Sequence, residues 1–153
     1  MTVNKRKNPW LKRILIAVLG IIVVFGVVYW IVATDKFSDT KSRKASFTMS
    51  VNDFIHEFQQ DEKVFNEKYT DKIVAINGRV TEIEAADTTM NIKMVDTTSG
   101  AIVIFAFQAQ HLAEAKSVKV GDSISIKGAC SGGIISDILG VPKIDFQRST
   151  LNK

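Results

Sequence analysis

Few side chains in this chain have the type and spacing that catalysis or metal binding requires. His56 and His111 are the only two histidines, and neither has further metal-ligating residues at the spacing of a zinc site. Both are therefore expected to be surface or helix-capping residues. Cys130 is the only cysteine, so an internal disulfide is impossible, and its apolar neighbours favour a buried, inert thiol.

Carboxylates and short motifs add no catalytic signal. Asp61, Glu62 and Asp87 could contact a cation, but acidic residues in solvated loops commonly have no such role. The sequence contains no nucleophile elbow, phosphate-binding loop or zinc signature. We expect no metal, no cofactor and no catalytic residue, and hence a binding protein rather than an enzyme.

Two aromatic and two polar residues form the candidate ligand site. Asn91 and Lys93 alternate with apolar residues, and Phe105 and Phe107 are two positions apart in an apolar run. Rings exposed on this part of an OB barrel can stack on bases or sugars, and Asn91 and Lys93 would lie near them. The tentative ligand-binding residues are therefore Asn91, Lys93, Phe105 and Phe107.

The alternative, which we favour, is that both rings are buried beneath an amphipathic helix. A helix is predicted over 50–68, loosened near 59–61, because Ser50 and Asp53 offer a start like a capping box. Apolar residues follow at helical spacing and include Phe54 and Phe58, which need burial. An exposed pair of phenylalanines without a partner would be unusual.

After residue 71 the apolar residues alternate, which is typical of strands. Gly78 inside the first strand predicts a β-bulge. The expected core comprises Val74, Ile76, Met90, Ile92, Met94, Ile102, Ile104, Ile124 and Ile126. Strands are predicted at 72–83, 90–94, 101–107, 123–129 and 134–146, with a short helix at 110–115 and a loop at 130–133.

A helix, three strands, a short helix and two further strands follow the order of an OB-fold. The fold class is mainly β: a five-stranded Greek-key OB-fold barrel, preceded by the amphipathic helix and by a single N-terminal transmembrane helix.

Residues 50–148 resemble the bacterial tRNA-anti-like family of OB-fold domains. The resemblance rests on the amphipathic helix leading to Tyr69-Thr70-Asp71-Lys72, followed by Gly78-Arg79-Val80. It rests also on Val120-Gly121-Asp122 before a strand with Ile124, Ile126 and Gly128, and on Cys130 with Gly132. Many members are secreted or attached to a membrane, and the resemblance implies no catalytic residues. Members often carry another cysteine in the last strand, which this chain lacks.

An apolar run over 14–33 predicts the transmembrane helix. Its twenty residues contain no charge and would span about 30 Å, the thickness of the hydrocarbon core of a bilayer. A cleaved signal peptide is the alternative, but its apolar core is typically only about 7–15 residues. Ile31 is also too bulky for the position three residues before a cleavage site after Ala33.

The charges on either side of the run predict its orientation. Five basic residues precede it, and four follow closely after it. The positive-inside rule then places the N-terminus in the cytoplasm and the C-terminal domain outside, in the inner membrane of a bacterium. The predicted organisation is a basic tail at 1–13, a transmembrane helix at 14–33, a linker at 34–49, an OB-fold domain at 50–148 and a tail at 149–153.

The high isoelectric point does not indicate a nucleic-acid-binding domain. All sixteen acidic residues lie after residue 33, where the chain carries a net charge of −1. Binding of single-stranded nucleic acid requires a basic groove. The sequence therefore favours an extracytoplasmic module for a protein or glycan of the envelope, with single-stranded nucleic-acid binding at the membrane as the alternative.

Overall fold

The computed structural model describes residues 9–34, 39–136, 138 and 140–152. The chain divides into two compact units, Met1–Ser38 and Asp39–Lys153. The first contains helix α1, Pro9–Thr34. Its segment Arg13–Trp30 has a mean hydropathy of 2.4 and no buried side chain, so this helix is long and apolar enough to cross a membrane.

The second unit is mainly β. Its helices are α2 (Val51–Gln60), α3 (Glu62–Tyr69) and α4 (Leu112–Ala115), with 3-10 turns at Thr40–Ser42 and Ala109–His111. Its strands are β1 (Phe47–Ser50), β2 (Ile73–Arg79), β3 (Glu82–Ala85), β4 (Met90–Val95), β5 (Ile102–Phe107), β6 (Ser123–Ile135) and β7 (Pro142–Leu151).

The predicted amphipathic helix is present, but as two helices divided at Asp61. Ser50 caps α2, because its Oγ accepts the Asp53 amide at 3.1 Å. Asp61 has extended backbone angles and ends α2, and its carboxylate accepts the Val64 amide at 3.0 Å to begin α3. An Asp at this position satisfies an amide that the second helix would otherwise leave unpaired.

The seven strands form one sheet in the order β1-β2-β6-β7-β5-β4-β3. Strands β2 and β3 follow each other directly in sequence, but β2 is the second strand of the sheet and β3 is the last. The two residues between them connect the two ends of the sheet. The Val80 amide donates to the Asp122 carbonyl and the Thr81 amide donates to the Lys93 carbonyl, each at 2.9 Å. When β2 and β3 are counted as one strand, this sheet has the five strands of an OB-fold barrel. Strand β1 is an additional strand at the edge of the sheet.

Gly78 does not form the predicted bulge. It pairs in register with Ile124, and the strand is interrupted two residues later. A Cβ atom on Gly78 would lie 2.6 Å from Met94 Sδ and 2.9 Å from Val51 Cγ1. Glycine is required here because β4 and α2 approach the strand closely, not because the strand bends.

The predicted linker and the predicted loop both contain ordered structure. Within 34–49, the segment from Asp39 belongs to the second compact unit, and β1 pairs in parallel with β2. The segment 130–133 lies inside β6 rather than in a loop, with a register shift between Cys130 and Gly132. Strand β7 begins at Pro142 and runs to Leu151, into the predicted tail.

The core lies between the barrel and α2–α3. Phe54 contacts Phe65, Tyr69 and Phe146, with ring centroids 4.7, 5.1 and 5.5 Å away. These edge-to-face and tilted ring pairs add to the free energy gained by burial. The predicted core is correct except for Ile102, Ile104 and Ile124, which are only half-buried.

Candidate ligand-binding face

The outer surface of the β3–β4–β5–β7 half of the sheet carries an open groove of about 560 Å³. Side chains alternate across a sheet, so most residues that line this groove lie between those that fill the core; Phe146 lines the groove although its ring is buried in the core. The groove is lined by Glu84, Asn91, Lys93, Ile104, Ala106, Ser131, Lys143, Asp145, Phe146 and Gln147.

Carboxylates neutralise the cations of this groove. Lys93 Nζ lies 2.5 Å from Glu84 Oε1 and 3.4 Å from Glu82 Oε2. The hydrogen bond to Glu84 is the main cause of the raised pKa of Lys93, and the same bond lowers the pKa of Glu84. Lys143 pairs with Asp145 at 3.1 Å. The groove therefore offers hydrogen-bonding groups and balanced charge, not a positive surface.

The structure divides the predicted ligand-binding residues into two pairs. Asn91 and Lys93 line the groove, whereas Phe105 is fully buried and Phe107 is 8% exposed. Phe105 stacks on Phe146 with centroids 4.8 Å apart and planes at 27°. Both rings point inward because they share the strand face of Val103, so neither is available to stack on a ligand.

Burial of the rings, the alternative favoured from the sequence, is confirmed. Phe54, Phe58, Phe105 and Phe107 all belong to one hydrophobic core. Phe54 reaches Phe105 through Phe146, which contacts both rings.

An apolar hairpin tip beside the groove is a feature that the sequence analysis missed. Ile134 and Ile135 are 57% and 54% exposed, and Ile138 is 94% exposed. The hairpin closes through the Ser136 amide, which donates to the Val141 carbonyl at 3.0 Å. The sequence pattern predicts that these isoleucines belong to the last strand. However, Ile134 and Ile135 are adjacent, so their side chains lie on opposite faces of a strand, and this pattern could have indicated an exposed hairpin.

The tip is continuous with the groove through a smaller depression. Ser131 and Asp145 line both. Asn66 of α3 holds the base of the hairpin, since its Nδ2 donates to the Gly133 carbonyl at 2.9 Å and its Oδ1 accepts the Gly133 amide at 2.7 Å. A helix side chain thus fixes the hairpin relative to the groove.

The two histidines occupy different environments. His56 is exposed on α2. His111 is the N-cap residue of α4, one of the two roles expected for it, but it is buried rather than on the surface. Its Nε2 lies 2.7 Å from Asp39 Oδ1. That hydrogen bond is the main reason why the pKa of Asp39 is lowered. Among the described residues, no group of three or more His, Cys, Asp or Glu side chains could hold a metal ion.

Cys130 is expected to react very slowly with thiol reagents in the native protein. Its side chain is buried, and burial raises its pKa to about 11, so very little thiolate exists at neutral pH. Ellman's reagent should detect no thiol within minutes in native buffer and one thiol per chain in denaturant. Rapid reaction of the native protein would contradict the described burial.

Comparison with known proteins places this fold and sequence in a family. No curated protein matches the chain. A solved lipoprotein of Klebsiella pneumoniae, provisionally described as nucleic acid-binding, has 18% sequence identity and a TM-score of 0.54, and the match covers 69% of this chain and 91% of that one. An OBody bound to hen egg-white lysozyme is 15% identical, with a TM-score of 0.41 and coverage of 56% and 90%.

The Klebsiella structure shares the fold of this chain. The model of the tRNA_anti-like family matches residues 3–141, which include helix α1 and the barrel as far as the start of β7. The chain therefore belongs to the tRNA_anti-like family of OB-fold proteins.

Proposed function

We propose that this chain is a membrane-anchored, extracytoplasmic binding module that holds a segment of another envelope protein. The exposed isoleucine tip carries this proposal. Protein interfaces combine an apolar centre with a polar, hydrogen-bonding rim, and contiguous exposed apolar residues commonly mark such sites. Ile134, Ile135 and Ile138 supply the apolar part, and the adjoining groove supplies the polar part.

A nucleic-acid ligand has less support. Non-specific binding of single strands uses exposed rings and unpaired cations. Here Phe105 and Phe107 are buried, and the groove lysines are paired with carboxylates. A glycan could use the hydrogen-bonding groups of the groove, but it would leave the isoleucine tip without a role.

Photo-crosslinking of the full chain in its native cells tests this proposal. A photoreactive residue at Ile138 should give an adduct that protease removes, while the same residue at Val64 should give none. Val64 is the matched control because it is an exposed apolar residue that belongs to α3 and not to the isoleucine tip. An adduct removed only by nuclease or by glycan hydrolase, or no adduct at Ile138, would contradict protein binding.

The full chain is expected to remain in the membrane pellet after extraction with alkaline carbonate. The apolar segment Arg13–Trp30 should hold it there, because a helix of this length spans the hydrocarbon core. N-terminal sequencing of the pelleted protein serves as the control. Release into the supernatant, or a mature N-terminus near Thr34, would identify a cleaved signal peptide instead.

A reporter that is active only outside the cytoplasm is expected to work when fused after Lys153. The expectation follows from the excess of basic residues before the apolar run. A cytoplasmic reporter at the same position is the control and should be inactive. Activity of the cytoplasmic reporter alone would reverse the proposed orientation.

A further inference from the structure

The first described residues after helix α1 pack on the outer surface of β6 and β7, and the Ser46 amide donates to the Ile73 carbonyl at the start of β2. Lys127 lies opposite Ala75 on this surface, and its Nζ donates to the carbonyls of Lys41 and Arg43 at 3.1 and 2.9 Å. Lys41 also pairs with Glu114. We call this surface the basal face; it comprises residues 39–46 and the outward residues Asn77, Arg79, Ser123 and Ser125.

Three exposed cations of the basal face form no ion pair with a carboxylate among the described residues. Arg43, Lys44 and Arg79 are exposed, and within residues 39–136, 138 and 140–152 no carboxylate forms an ion pair with them. Arg79 Nε donates to the Gly121 carbonyl at 3.1 Å, which orients the guanidinium and leaves its other donors available.

The acidic residues in or next to the basal face bond to groups other than these three cations. Asp39 bonds to His111 and Glu114 pairs with Lys41. Asp122 accepts the backbone amide of Lys119 at 2.9 Å. The basal face therefore differs from the ligand groove, where each lysine has its own carboxylate.

The covalent chain limits how far residue 39 can be from the end of α1. Four residues, 35–38, separate Thr34 from Asp39, and the five peptide steps between them reach at most about 18 Å. An exposed cationic surface that begins at the end of such a tether is complementary to the phosphates of lipid headgroups.

We propose that the basal face docks on an anionic lipid surface, with Arg43, Lys44 and Arg79 contacting headgroup phosphates. The inference rests on the proposed membrane anchor but not on its orientation. Arg43 and Lys44, two of the four basic residues that reduce the positive-inside bias, then act as lipid contacts rather than as topology signals.

Collisional quenching in the full chain tests this docking. Ser123→Cys, on the basal face, would carry a fluorophore, and Cys130 would stay unlabelled because it is buried. The chain would be reconstituted in nanodiscs of phosphatidylcholine, with or without phosphatidylglycerol, containing headgroup spin-labelled lipid as quencher. We expect stronger quenching with phosphatidylglycerol, reversed by high salt.

The triple variant Arg43→Gln, Lys44→Gln, Arg79→Gln should lose this effect, with the ratio of docked to undocked chains falling about fivefold for each cation removed. Lys63→Gln, on α3, should leave the lipid-dependent quenching at residue 123 unchanged. A fluorophore moved to Val64→Cys, also on α3, should be quenched equally in the two lipids. Equal quenching in both lipids, or no change in the triple variant, would overturn the docking. Failure of the chain to enter nanodiscs would instead overturn the anchor.

Discussion

Replacing Phe105 by Ala is expected to lower the free energy of unfolding by about 3–5 kcal/mol, as for other fully buried phenylalanines. Phe105 has no exposed surface and stacks on Phe146, which in turn contacts Phe54 of α2. Truncation would therefore leave a cavity between the barrel and the helices. The measurement is denaturant unfolding of the wild-type chain and the variant under identical conditions.

Val64→Ala is the control for this measurement. Val64 is exposed on α3, so its truncation should change stability by no more than about 0.5 kcal/mol. If Phe105→Ala left the unfolding midpoint unchanged, the ring could not be packed as described, and the face of Phe105 would again be a candidate ligand platform.

Gly133→Ala is expected to destabilise the domain by about 1–3 kcal/mol through overpacking. A Cβ atom there would lie 2.5 Å from Phe58 Cε2 and 3.0 Å from Ile144 Cγ1. Phe58 cannot easily move away, since it is buried and packs edge-to-face on Phe65 at 5.1 Å. Thermal or denaturant unfolding of the variant measures the loss.

The double variant with Phe58→Leu distinguishes overpacking from other causes. A smaller side chain at 58 makes room for the added methyl group, so the two substitutions should cost less together than the sum of their separate costs. Additive costs would show that the close approach of Gly133 to Phe58 does not limit the packing.

Local patterns predicted much of this fold. Ser50 and Asp53 predicted where α2 begins. The alternation of Met90, Ile92 and Met94 predicted strand β4 and the face of it that is buried. The same period of two placed Phe105 and Phe107 on one face of β5, and the need to bury Phe54 and Phe58 favoured the core. These features are set by residues only a few positions apart in the chain, so their pattern can be recognised in a single sequence.

Features set by distant contacts were not predicted. The segment 39–46 has no periodicity, and it is fixed by Lys127, which lies more than eighty positions away in sequence. Gly78 looks the same in sequence whether it marks a bulge or a close approach, and only Met94 and Val51 decide between them. In the candidate site, Asn91 and Lys93 were predicted correctly as residues of the groove. The isoleucine tip was not predicted, because its exposure depends on how far β6 and β7 extend.

Strand β6 connects two attachment points, one in its first half and one at its last residue. Lys127 holds the segment that leads to α1, and Ile135, at the tip, is eight residues further on, about 26 Å along an extended strand. If a partner binds at the tip while the chain is held in the membrane, any movement between them becomes tension along this strand. Lys127 then passes force between the segment 39–46 and the tip through β6, so that binding at the tip and attachment to the membrane would be mechanically linked.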